Sequence, residues 1–209
     1  MNMLEYVRPM DIEKRSFEII SELLGDTPLA PENELVIKRV IHTSADFDYV
    51  KNLVFSENAV KIALEALKSG CDIVTDTQMA KAGINKRALE KLGGQVHCFM
   101  SDEEVAKEAK LRGVTRATVS MERAAALPKP CIFAIGNAPT ALIALKELMD
   151  AGKLHPALII GVPVGFVNVV ESKELILASQ VPHIVARGRK GGSNVAAAIC
   201  NALLYQLTR

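Results

Sequence analysis

Tryptophan is missing from the 209 residues, and aromatics make up only 4% of the chain against a hydrophobic share of 49%. The apolar mass is therefore alanine, valine, isoleucine and leucine, the stock of a packed α/β protein. Excess charge is also missing: the formal net charge is +1, so neither nucleic acid nor an anionic membrane surface is expected as a bulk electrostatic partner. No apolar run reaches the ~20 residues that would span a bilayer. The first sixteen residues, MNMLEYVRPMDIEKRS, carry acids and lack an apolar h-region, so no signal peptide is expected and the cytoplasm is the expected compartment. The cysteines, Cys71, Cys98, Cys131 and Cys200, show no CxxC or Cys/His spacing. They read as reduced core thiols, with no metal site expected. Also absent are GxGxxG, GxxxxGKS, HExxH and GxSxG, which leaves nucleotide, zinc-hydrolase and serine-hydrolase readings without a fingerprint.

What is present is a strand–turn–helix grammar. In CIFAIGNAPTALIAL (131–145) a buried run is followed by Gly136, a capping Asn137 and Pro139 in the first helical turn. The free N–H groups of such a turn, with the helix dipole, suit a carboxylate or phosphate. Four further strands are expected at 71–76, 95–100, 157–161 and 182–186, separated by helices. Ahead of them lie a helix from Pro9 to Leu24, with Ile12, Ser16, Ile19, Ile20 and Leu23 on one stripe, and a second from Glu32 to His42. Ser56 is expected to cap a third, and Ser193 the last. The resulting expectation is a single domain over 1–209: a helical cap over 1–70 and a parallel α/β core over 71–209, with right-handed crossovers and helices on both faces.

Ligands of open parallel sheets bind at the carboxyl ends of the strands. Here those ends are Asp76-Thr77, Gly136-Asn137, Gly161 to Gly165, and Arg187 to Ser193. Glycines let the backbone approach a ligand, and Arg187, Arg189 and Lys190 add cations, so a ligand with several anionic groups is one reading. Turns with solvated cations are the other, and both stay open at this level. Among the histidines, His97 falls inside a strand, and His155 and His183 stand at strand entrances, away from those turns. His42 differs. It shares a helix face with Arg39, three residues earlier, whose like charge opposes protonation of the imidazole. A near-neutral imidazole suits proton transfer.

With these residues assembled, the chain resembles the precorrin-8X methylmutase family of cobalamin biosynthesis, including its cobalt-precorrin-8 counterpart. The resemblance rests on KRSFEII (14–20), RVIHTSAD (39–46), FSENAVKIALEALKSG (55–70), CDIVTDTQMAKAGI (71–84), AIGNAPTAL (134–142), GVPVGFVNVVESK (161–173) and RGRKGGSNVAAA (187–198). It implies a three-layer α/β/α fold with a flavodoxin-like five-stranded parallel sheet, working as a homodimer. It also implies an isomerase that moves a methyl group between adjacent ring C carbons of a tetrapyrrole, a 1,5-sigmatropic shift giving hydrogenobyrinate, or cobyrinate when cobalt is present. No cofactor is implied. By the same resemblance His42 matches the catalytic histidine, and Ser16 and Arg39 match substrate-contacting residues. Thr77, Asn137, Thr140, Arg189 and Ser193 match strand-end positions that hold substrate.

On that reading His42 protonates the conjugated macrocycle near the migrating centre and recovers the proton afterwards, while the other residues hold the carboxylates. The rivals are a non-catalytic corrinoid carrier, which needs no ionisable group at the methyl, and an α/β enzyme using a nucleotide or sugar phosphate.

Overall fold

A computed structural model of the chain describes residues 4–209. Met1 to Met3, part of the stretch read above for a signal peptide, lie outside the described residues. A 3-10 turn at Pro9–Asp11 enters α1 (Ile12–Leu24), and Pro31 opens α2 (Pro31–Ser44). Proline is favoured there because a first-turn N–H has no helical partner to lose. Then come α3 (Tyr49–Asn52), β1 (Leu53–Phe55) and α4 (Ala59–Lys68). The core continues through β2 (Asp72–Thr75), α5 (Gln78–Gly83), α6 (Lys86–Lys91), β3 (Val96–His97), α7 (Glu103–Arg112) and α8 (Arg116–Ala125). It closes with β4 (Cys131–Ile135), α9 (Pro139–Asp150), β5 (Leu158–Gly161), α10 (Val169–Leu177), β6 (His183–Ala186) and α11 (Ser193–Thr208).

The sheet has six strands in the order β1-β6-β5-β4-β2-β3. Strands β3, β2, β4, β5 and β6 are parallel, and in chain order they run 2-1-3-4-5, the flavodoxin-like arrangement. The expected five-stranded parallel sheet is therefore corrected in one respect. Leu53–Phe55 adds an antiparallel edge strand against Phe55↔Ile184 and Leu53↔Ala186. Its three residues, between a short helix and a turn, are too few to show an alternation. Ser56, expected as a helix cap, instead exchanges bonds with His183: its hydroxyl accepts from the His183 N–H at 2.9 Å, and its N–H donates to the His183 carbonyl at 3.0 Å. The first seventy residues are thus joined to the sheet through β1.

Alternation along the buried strands sorts two cores. Ile73, Ile132, Ala134, Leu158 and Ile160 face α2, α4 and α11. Val74, Phe133, Ile135, Ile159 and Val185 face α8, α9 and α10. Each fully buried aliphatic side chain of this kind contributes about 1.5–3 kcal/mol. The stripe expected on α1 is corrected too. Ile20 and Leu24 are buried, whereas Ile12 is 53% and Leu23 66% exposed, because α1 rests on α2 along one edge only.

Chain order reverses between β2 and β4, and one side chain bridges the two strand ends. The fully buried Asp76 carboxylate accepts from the backbone N–H groups of Gly136 (2.8 Å), Asn137 (2.8 Å) and Ala138 (2.6 Å). Burial pushes its pKa up, and these three donors act against that by stabilising the anion. Gly136 is required beside it, since a Cβ there would stand 2.7 Å from the Ser193 Cα and 2.8 Å from the Gly192 carbonyl oxygen. Replacing Asp76 by alanine strands three donors in the interior and should lower unfolding free energy by about 3 kcal/mol or more, read from urea denaturation at pH 7. Asp76→Asn should also destabilise, because its amide N–H groups would meet N–H donors. An unchanged midpoint in both variants would contradict this role.

Candidate active site

The strand-end turns do not offer all the groups their sequence promised. The amides after β4 are occupied by Asp76, so that turn is already satisfied from within the chain. Asn137 does not cap α9. Ala138 takes the N-cap position, and the Asn137 side chain is left exposed at the switch point. Thr77 caps α5 by accepting from the Ala80 N–H at 3.0 Å, and its hydroxyl lies 2.8 Å from that of Ser193. Those two candidates, 116 residues apart in sequence, are in direct contact. Ser193 is the first residue of α11 after an N-cap at Gly192, and its hydroxyl makes the Thr77 contact rather than a cap bond. The Thr140 hydroxyl pairs with that of Thr115 at 2.9 Å.

The cations of the loop after β6 also divide. Arg187 is paired with Glu174 at 3.1 Å. Lys190 reaches Asp46 and Asp48, both at 2.6 Å, and thereby ties this loop to the end of α2. Those hydrogen bonds hold the Asp46 carboxyl below its usual range and the lysine above its own. Arg189 is exposed, and among the described residues its guanidinium makes no ion pair. The adjoining loop after β5 leaves Phe166 82% and Val167 79% exposed, an apolar surface beside Arg189.

A second group stands on α1 and α2. The Arg39 guanidinium donates to Glu13 at 2.6 Å and lies over the rings of Phe17 (4.7 Å) and Tyr205 (5.2 Å). Arg209 shares Glu13 at 2.9 Å. The His42 ring is exposed and sits 5.5 Å from the Phe17 ring, tilted by 32°. Ser16 bonds the Ile12 carbonyl at 2.8 Å, the ordinary use of a mid-helix serine. A cavity of about 140 Å³ opens beside Arg39 between Phe17, Leu35, Ala202 and Tyr205. That is well below the ~300–1,000 Å³ of typical small-molecule pockets. A cavity of about 510 Å³ lies at the opposite end of the sheet, by His155 and Pro182.

Residues 11–206 match the family described as Precorrin-8X methylmutase. The chain belongs to that family. A cobalt-precorrin-8 methylmutase of Priestia megaterium is 45% identical, with 94% of this chain and 88% of that protein aligned. One from Salmonella typhimurium is 46% identical over 98% and 99%. A solved precorrin-8X methylmutase from Thermus thermophilus superposes with a TM-score of 0.85 at 37% identity, covering 93% of this chain and 96% of that one.

Within this methylmutase-family chain the candidate residues form two groups joined by α11, whose first residue touches Thr77 and whose Tyr205 packs on Arg39. Among the described residues no hydrogen bond or ion pair links His42 to the strand-end group. No cluster of three or more His, Cys, Asp or Glu side chains gathers as a metal site among them either. The buried thiols are far from reactive: burial pushes Cys71 and Cys200 up to about 12 and Cys131 up to about 11.

Glu13 and Lys173 escaped the sequence reading, and Asp76 was named there only as a strand end. Glu13 is a half-buried acid in the first turn of α1, and nothing local marks it as the partner of Arg39, 26 positions later. Asp76 carried a signal, an acid at a strand end beside the switch point. Lys173 carried one as well, since Val169, Ser172, Lys173 and Ile176 follow the i, i+3, i+4, i+7 spacing of a buried helical stripe, and all four are buried.

Burial raises the Glu13 pKa, but the hydrogen bond and charge of Arg39, followed by those of Arg209, outweigh it and hold the carboxyl below its ordinary 4.5. A depressed carboxylate contributes stability above its unfolded pKa and loses it as pH falls through the folded value. Glu13→Gln should therefore lower thermal stability at pH 7, and the gap to wild type should close on acidification below 4.5. A gap independent of pH would rule out the ion pair as its source.

Proposed function

We propose that this chain is an isomerase of cobalamin biosynthesis, carrying out the methyl shift between adjacent ring C carbons of cobalt-precorrin-8 or precorrin-8X. The near-full-length match to methylmutases carries this reading. The two relatives described above bear the cobalt-form name, which favours cobyrinate as product. Any metal present then belongs to the substrate.

In the proposed mechanism the His42 imidazolium donates a proton to the conjugated macrocycle, the methyl group migrates, and the imidazole takes the proton back. Nothing is consumed and the net change is isomerisation. His42 suits this because it projects from α2 into open space while Phe17 packs beside its ring. Arg39 is held by Glu13 and two aromatic faces, so its position is defined before substrate arrives. Ser16 and Arg39 would orient the ring on this side. Thr77, Asn137, Thr140, Arg189 and Ser193 would meet its carboxylates at the strand ends. The apolar Phe166 and Val167 would lie against the macrocycle.

A large planar substrate needs more cover than a 140 Å³ cavity provides. The exposed Ile12, Ile19 and Leu23 beside Ser16 form an apolar edge suited to a second copy of the chain, so a homodimer completes the site in this proposal. We take 1–209 as one functional domain, supported by the pairing of β1 with β6 across the proposed cap boundary. Four buried free thiols suit a reducing cytoplasm.

Absorption spectra of wild type and His42→Ala mixed with cobalt-precorrin-8 or precorrin-8X test this directly, since the shift changes the conjugated system. Wild type should convert the substrate. The variant should bind it and turn over roughly 10²–10⁴-fold more slowly. Equal conversion by both would remove His42 from the chemistry, and binding of both substrates without conversion by wild type would make the protein a carrier.

A further inference from the structure

Lys173 is fully buried on α10, yet among the described residues no carboxylate meets its ammonium. Its Nζ donates instead to two main-chain carbonyls of the loop after β6, that of Gly188 at 2.7 Å and that of Lys190 at 2.9 Å. We propose that Lys173 is a positioning residue for the methyl shift: by holding those two carbonyls inward it sets the 187–192 loop so that Arg189 faces an acidic side chain of the substrate.

The argument starts from peptide geometry. In a planar trans peptide the carbonyl and the following N–H point in opposite directions. With the carbonyls of Gly188 and Lys190 drawn to the lysine, the N–H groups of Arg189 and Gly191 turn away from it. Among the described residues neither N–H donates to a protein acceptor. Two other main-chain groups of the loop are tied to the loop after β5. The Arg189 carbonyl accepts from the Gly165 N–H at 3.2 Å, and the Gly192 N–H donates to Val162 at 2.9 Å. The loop runs close against the chain leaving β5, since a Cβ on Gly191 would stand 2.1 Å from the Val162 carbonyl oxygen and only glycine fits there. Lys190 anchors the outer side through Asp46 and Asp48, one turn beyond His42. Lys173 therefore secures the loop from below and the acid pair from above, leaving the Arg189 guanidinium and the amides of Arg189 and Gly191 among the loop donors that no protein acceptor takes up among the described residues.

Energetics favour a role beyond filling space. Burying an ammonium costs several kcal/mol, and burial accordingly pulls this lysine's pKa down to about 8. Methionine would fill nearly the same volume without that cost. What it could not do is fix two carbonyls. The Gly165–Arg189 bond extends the effect to the loop bearing Phe166 and Val167, so one cation organises both segments expected to face the macrocycle.

This inference rests on the reading of Arg189 as a substrate-binding residue, and a double-mutant cycle separates the two. Lys173→Met, Arg189→Ala and the double variant are compared with wild type for kcat and KM on the purified enzyme, with circular dichroism confirming fold. Lys173→Gln replaces the methionine variant if that protein does not fold. Positioning through Arg189 predicts that each single change raises KM about tenfold or more with kcat within about threefold, and that the double variant is no worse than either single. A folded Lys173 variant with wild-type KM, whatever its melting temperature, would reduce the lysine to a structural filler and overturn the proposal, as would fully additive effects. If Arg189→Ala alone leaves KM unchanged, the substrate role of Arg189 fails, and that result is legible whatever Lys173 does.

Discussion

Three short hydrogen bonds to the Asp76 carboxylate hold the centre of this molecule together. They join the ends of β2 and β4 where chain order reverses, so the crevice that any doubly wound sheet leaves at this point has a floor fixed by a buried anion. Thr77, the next residue, caps α5 and touches Ser193; Gly136, the first donor, lies under the start of α11. A shift of that carboxylate would move the start of α11, and with it the helix on which Tyr205 supports Arg39. The constraint is electrostatic as well as steric, because desolvation opposes the charge and backbone amides, those of Gly136, Ala138 and Asn137 foremost, act against it.

Around this floor the charges mostly neutralise one another. Arg187, Lys190 and Arg39 each meet carboxylates of the same chain, and Lys173 meets carbonyls. A site for a polyanion would ordinarily leave its cations free; here Arg187, Lys190 and Lys173 fix the loops, and Arg189 is left outward. That economy has a chemical sense for the methyl shift proposed above. A sigmatropic shift needs a ring held in register and one proton moved at the right atom, so rigidity of the surrounding loops counts for more than the number of contacts.

The single chain nevertheless leaves the arrangement open. His42 faces solvent, the cavity beside Arg39 is small, and the apolar residues on α1 and after β5 lack partners among the described residues. These features belong together if the substrate and a second subunit share the burial of those surfaces. Apolar edges beside polar catalytic groups are what such a shared site requires.

By itself the sequence determined the parallel strands, the helices between them and the placement of His42 and Arg39 on one side of α2, since each of these is written in local periodicity and turn residues. It also contained the family motifs. Tertiary structure decided what periodicity cannot encode. It decided that Leu53–Phe55 pairs antiparallel with β6, because a three-residue edge is specified by its neighbour and not by its own pattern. It decided that Ile12 and Leu23 face outward, because the width of a buried stripe depends on how many elements pack on it. It decided which charges remain available, since Glu13 with Arg39 and Asp46 with Lys190 are 26 and 144 residues apart. An ion pair or an occupied amide nest is a property of distance in space, and chain separation carries no record of it.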